Sequence, residues 1–199
     1  MLIRFSMVSA VLVGIIAFLV ISSEMPKDGV EPYPRDEIEE EIRASVADLT
    51  PLEAARDIYN NNPRFHDLLF EYLDKAISED PNSVEALTLR GNVHLDVGNY
   101  EAAMEDYRRA VKIAPESGEL HQKLGAILLG LERIDEAIAE LQKALELGYD
   151  NASLHFTLGR AYEAKGELKK ALEHHKKSIK LDPRSISRSY AKTLESKIK

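Results

Sequence analysis

The six histidines, His66, His94, His121, His155, His174 and His175, are the side chains best suited to metal binding or to proton transfer near neutral pH. Their spacing supports neither. No H-E-x-x-H pair occurs, and His174 and His175, as neighbours, leave a helix on different sides and make a poor chelate. The chain has no cysteine, which excludes disulfides, thiolate metal sites, a cysteine nucleophile and a lipid-modified cysteine anchor. Phosphate-binding loops, G-x-G-x-x-G and G-x-S-x-G are missing as well. The 34 Asp and Glu residues fall mainly on outward-facing helical phases, so paired acid–base catalysis has no support. The expectation is a non-enzyme with no metal, no cofactor and no small-molecule substrate. Asn151-Ala152-Ser153 has the form of an N-glycosylation acceptor, which has meaning only in a eukaryotic secretory setting.

The 199 residues carry 26 Lys+Arg and 34 Asp+Glu, a net charge of -8, and 44% are hydrophobic. That hydrophobic share is enough to bury a core. The acidic balance argues against a nucleic-acid partner, which calls for a basic footprint. Charge is unevenly spread: residues 24–49 hold nine acids and three bases, whereas residues 186–199 hold four bases and one acid. Lys169, Lys170, Lys176, Lys177 and Lys180 add to that basic end. They suit either a solvated helix face or contact with an acidic protein or anionic headgroups.

Phe5 to Ile21 is a run of 17 uncharged, mostly apolar residues behind Arg4. As a helix it spans roughly 26 Å, and with Leu2, Ile3 and a snorkelling Arg4 it reaches the ~30 Å of a bilayer core. An uncleaved transmembrane signal-anchor helix at 1–23 is the leading reading. A cleaved secretory signal is the second, although Val20-Ile21-Ser22 and Ile21-Ser22-Ser23 are poor cleavage sites; a buried soluble helix is the third. The positive residue before the run and the acids after it predict a cytoplasmic amino terminus, with the body periplasmic, lumenal or extracellular. Pro26, Gly29, Pro32 and Pro34 make residues 24–35 a tether. Residues 36–49 read as an acidic helix with Ile38, Ile42, Val46 and Leu49 on one narrow stripe.

A 34-residue period organises the remainder. Gly91, Gly125 and Gly159 keep it, as do Ala103, Ala137 and Ala171, then Tyr107, Leu141 and His175, then Ala110, Ala144 and Ser178. Windows 84–117, 118–151 and 152–185 align without a gap, and each reads as two amphipathic helices around a tight turn. Leu124 and Leu158 share a phase that the first copy fills with Arg90. His94, His121, His155 and His175 fall on core phases, where packed rings are expected. Window 50–83 is a degenerate capping copy that opens on the capping box Thr50-Pro51-Leu52-Glu53. Residues 186–199 are a closing helix with Tyr190, Leu194 and Ile198 on one stripe.

These windows resemble the tetratricopeptide repeat (TPR) family. The third copy carries His155, Leu158-Gly159, Tyr162, Ala171, His175, Ser178 and Pro183; the first carries Leu87, Gly91, His94, Ala103, Tyr107, Ala110 and Pro115. The resemblance implies an all-α, right-handed superhelical solenoid of helix-turn-helix repeats. It also implies a concave groove, lined by the first helix of each copy, that takes a protein partner as peptide or folded surface. By that resemblance the groove residues are Thr88, Asn92, Asp96, Gln122, Ala126, Phe156, Arg160 and Glu163. The family's grip on chaperone carboxyl termini needs lysines that are missing at Thr88, Gln122 and Phe156, which argues against that role. The leading function is a membrane-tethered, non-catalytic interaction scaffold or assembly factor. A constitutive subunit of a large membrane complex and a secreted soluble adaptor are its alternatives.

Overall fold

The computed structural model describes residues 35–198. The expected anchor at 1–23 and all of the tether except Arg35 lie outside the described residues. Within them there are ten α-helices and no strand, an all-helical TPR-like solenoid fold. None of these helices is long and apolar enough to cross a membrane. The chain divides at Pro81 into two compact units, each with its own packing.

The first unit holds α1 (Arg35–Ser45), α2 (Pro51–Asn61) and α3 (His66–Glu79). Helix α1 stops earlier than its apolar stripe suggests. Ile42 and Val46 are buried, but Leu49 lies beyond the helix in an exposed turn. The capping box forms: Thr50 Oγ1 accepts from the Glu53 amide, and the Glu53 carboxylate accepts from the Thr50 amide at 3.0 Å. Arg43 clamps α1 to α3 through Glu71, whose carboxyl is held at about 2 by its hydrogen bonds from Arg43 and Lys75. Leu68, Leu69 and Leu73 of α3 meet Ala54, Ala55 and Ile58 of α2 in the buried core of this unit.

The second unit is three helix pairs and a last helix: α4 (Val84–Asp96) with α5 (Tyr100–Ile113), α6 (Gly118–Gly130) with α7 (Ile134–Glu146), α8 (Ala152–Ala164) with α9 (Leu168–Leu181), then α10 (Ser187–Ile198). The period reaches the hydrogen bonds. Ser83, Ser117 and Asn151 cap the first helices by accepting from the amides of Ala86, Leu120 and Leu154. Asn151 therefore uses its side chain as a cap, and it also donates to Gln122 Oε1 at 3.1 Å, so the sequon amide is engaged.

The turns inside each pair close in one way. The amides of Asn99, Arg133 and Glu167 reach back to the carbonyls of His94, Leu128 and Tyr162 at 2.8–2.9 Å. That closure needs a left-handed residue. Gly98 and Gly166 supply it with φ of 79° and 83°, and in the second copy Glu132 does so at φ 58°. Glu132 carries the steric cost of a Cβ that the glycines avoid.

Helix pairs are drawn together where glycine faces a large side chain. A Cβ on Gly125 would lie 2.6 Å from Leu141 Cγ and 3.1 Å from the Ala137 carbonyl oxygen. Around these contacts Ala103, Ala110, Ala137, Ala144 and Ala171 are fully buried.

Two substitutions test this account by chemical denaturation. Gly125→Ala should destabilise by about 1–3 kcal/mol through overpacking. Glu132→Gly should stabilise by a few tenths to about 1 kcal/mol, because it relieves the left-handed residue. A neutral Gly125→Ala would mean that the facing helices do not approach as described.

Candidate protein-binding face

The first helices α4, α6 and α8 present the eight residues singled out from the sequence, and the structure gives these different tasks. Thr88 is half-buried and donates to the Glu85 carbonyl at 3.1 Å. Asn92 accepts from the Tyr107 hydroxyl at 2.7 Å, so it braces a core ring. Gln122 joins α6 to α8: it donates to Ser153 Oγ at 3.0 Å and accepts from Asn151. Asp96 and Ala126 are exposed, and Glu163 is half-buried.

Phe156 and Arg160 are engaged within the chain. Phe156 meets the Tyr190 ring edge-on at 5.5 Å and lies 5.9 Å from the His175 ring. Arg160 donates to the Tyr190 hydroxyl at 3.1 Å and sets its guanidinium 5.1 Å from that ring's centroid. Sequence reasoning missed this contact, although the signal was present: Thr88, Gln122, Phe156 and Tyr190 share the 34-residue phase.

Behind this face, each pair is tied by a polar contact between its helices. In the first copy Arg90 donates twice to Asp106, at 2.6 and 2.8 Å, and Asp106 is only 3% exposed. Arg90, the exception to the leucine phase, is thus a half-buried partner, and Asp106 is an inward carboxylate among acids that fall mainly on outward phases. In the second, His121 Nδ1 meets Glu140 at 2.6 Å and its Nε2 meets the Pro115 carbonyl at 3.0 Å. In the third, His155 Nδ1 lies 2.9 Å from His174 Nδ1, and its Nε2 pairs with Asp150 at 3.0 Å.

His174 and His175 do point to different sides. His174 stacks on Tyr162 at 5.4 Å, whereas His175 stacks on Tyr190 at 5.2 Å and meets Ser187 Oγ at 3.3 Å. His175 Nε2 is buried with no hydrogen-bond partner among the described residues. Burial holds the His155 and His175 rings below the usual imidazole range. His174 is held at about 4, by burial first and by neighbouring His155 second. Among the described residues no three potential ligands converge on a metal position.

The depressed values carry a sign. At His174 the unfolded chain takes up a proton near pH 6.5 and the folded chain only near pH 4. The stability contributed by the neutral His174 ring is therefore fully present above pH 6.5 and is lost as pH falls toward about 4. Denaturation at pH 7 and pH 5 should show the loss, and His174→Gln should shrink the difference. Identical pH dependence in wild type and variant would place the His174 titration elsewhere.

The comparisons with known proteins agree with this geometry. A crystal structure of MamA matches at 30% identity with a TM-score of 0.57, covering 59% of this chain and 69% of that one. YrrB, described as a TPR protein with an unusual peptide-binding site, matches at 22% identity and TM-score 0.65, over 78% and 82% of the two chains. The first TPR of Spaghetti (RPAP3), solved with the HSP90 peptide SRMEEVD, matches at 18% and 0.57, over 60% and 95%. No curated protein sequence matches the chain. The family model described as "Tetratricopeptide repeat" matches residues 60–197, and the chain belongs to the tetratricopeptide repeat family, whose fold typically serves as a non-catalytic platform for protein interactions.

Proposed function

We propose that this protein is a membrane-tethered, non-catalytic scaffold or assembly factor that holds a segment of a partner protein along α4, α6 and α8. The observation that carries the reading is the bare middle of that face. Ala126 and Gly130 of α6 are small and exposed, with exposed Asp96 on α4 and exposed Arg160 on α8. A partner backbone can approach α6 where no long side chain intervenes, and charges of opposite sign on the flanking helices can fix its direction. The peptide-binding site named for YrrB and the peptide named for Spaghetti support occupancy of such a face, and a right-handed superhelix would make it concave. Arg4, the apolar run and the acids behind it support a tether whose body stands outside the cytoplasm.

Cross-linking in native membranes, with partners identified by mass, is the test. Wild type should yield a reproducible partner, and Ala126→Arg should cut that yield at least tenfold while leaving the helical signal unchanged. An unchanged yield with Ala126→Arg would place the partner elsewhere. Alkaline extraction checks the tether separately, since a spanning segment keeps the chain in the pellet.

A further inference from the structure

The corner between α9 and α10 differs from its counterparts in the other copies, and the period makes the comparison direct. Arg184 stands where the earlier copies have Glu116 and Asp150, and Ile186 stands where they have Gly118 and Ala152. Leu181 and Ile186 are 50% and 63% exposed, the barest large hydrophobic residues described. The cations around them are Lys180, Arg184 and Arg188, all exposed, with the Arg184 side chain at 95%. Between residues 176 and 192 there are six bases and one acid, Asp182.

The backbone beneath is fixed from inside. The Ser185 amide donates to the Asp182 carbonyl at 2.9 Å, and the Arg184 amide donates to Asp182 Oδ1 at 3.0 Å. Ser185 Oγ meets Ser178 Oγ at 2.9 Å and accepts from the Ser187 amide at 3.2 Å. Arg188 donates to the Pro183 carbonyl at 2.8 Å. With the turn held this way, the side chains of Leu181 and Ile186 stand exposed at the corner.

From this geometry we infer that the α9–α10 corner docks on an anionic lipid bilayer surface. Leu181 and Ile186 enter the headgroup layer, while Lys180, Arg184 and Arg188 meet lipid phosphates. Two bare apolar side chains flanked by exposed cations match the layered chemistry of a bilayer surface, apolar below and anionic above. Among the described residues Lys180 and Arg188 meet no carboxylate and Arg184 reaches Asp182 only at 4.0 Å, an arrangement that suits a diffuse negative surface. The inference builds on the proposed tether, which would keep the corner within reach of a bilayer, and the two fail separately.

Because the chain has no cysteine, Ile186→Cys gives a single attachment point for a polarity-sensitive fluorophore on the full-length protein. The probe should shift to the blue on vesicles with about one third anionic phospholipid, remain unshifted on phosphatidylcholine vesicles, and return in about 0.5 M salt. Adding Lys180→Glu and Arg184→Glu should weaken the half-maximal lipid concentration at least tenfold. Both residues are exposed, and circular dichroism checks that the fold persists. No shift on anionic vesicles, or an equal shift on neutral ones, overturns the inference. A shift with soluble polyglutamate that exceeds the one with vesicles also overturns it and assigns the corner to an acidic protein. Sedimentation with neutral vesicles reads the tether alone. A chain that stays in solution there but shifts on anionic vesicles loses the tether and keeps the corner.

Discussion

A helical glycine under a large facing side chain is the contact on which each pair of the second unit depends. Gly91 lies under Tyr107, Gly125 under Leu141 and Gly159 under His175, and a Cβ at any of them would fall 2.6–2.9 Å from that side chain. The contact demands volume and tolerates chemistry, since tyrosine, leucine and histidine all fill it. Chemistry then sets what each copy must add. Leu141 needs nothing more. Tyr107 needs an acceptor for its hydroxyl and finds Asn92 at 2.7 Å. His175 needs partners for two nitrogens and reaches only Ser187, which lies on the next helix. The third copy is therefore the one whose core leans on α10.

The polar ties follow the same logic of one place and several solutions. Asp106, Glu140 and His174 share a phase of the second helices, and each meets a side chain of its own first helix. Arg90–Asp106 is a charged pair with two hydrogen bonds. Replacing Arg90 would strand the buried Asp106 carboxylate without its bidentate partner. His155–His174 is a neutral contact at pH 7, where one ring donates and the other accepts. Such ties add less net stability than their geometry suggests, but they penalise a shifted pairing of the helices, because a shifted partner leaves a buried polar group unmatched.

The repeating part of this design was legible from the sequence because it rests on single positions. Left-handed turns at Gly98 and Gly166 and tight packing at Gly91, Gly125 and Gly159 leave a residue-type mark that the period displays, whereas the left-handed Glu132 leaves none and the caps at Ser83, Ser117 and Asn151 come from the structure. What rests on pairs was not legible. Asp106 is not set apart from the other acids by its sequence position, and its partner Arg90 stands there only as an exception to the leucine phase. Leu49 joined a stripe that the chain abandons one turn earlier. The candidate face was legible as a phase, since all eight residues lie on first helices. Which of them already hold a neighbour was hidden, because Asn92, Gln122, Phe156 and Arg160 are engaged by residues 15 to 34 positions away.

Tyr190 shows how that hidden layer changes the site. Helix α10 repeats features of a first helix. The Ser187 amide finds Ser185 Oγ where Ser117 and Asn151 cap α6 and α8, and Tyr190 carries on the phase of Gln122 and Phe156. Helix α10 therefore extends the row of first helices and closes its far end with an aromatic ring. A partner side chain seeking Phe156 must compete with an edge-on ring contact, a stacking contact with His175 and an Arg160 hydrogen bond, all made by one tyrosine. Those contacts form within the chain and lose no translational freedom in forming, so an incoming group of similar size has no advantage there. Displacing Tyr190 would also remove the ring stacked on His175, so occupancy of this end would be linked to loosening of α10. The middle of the face, at Ala126 and Gly130, carries no such competitor, and for that reason it offers the stronger ground for partner binding.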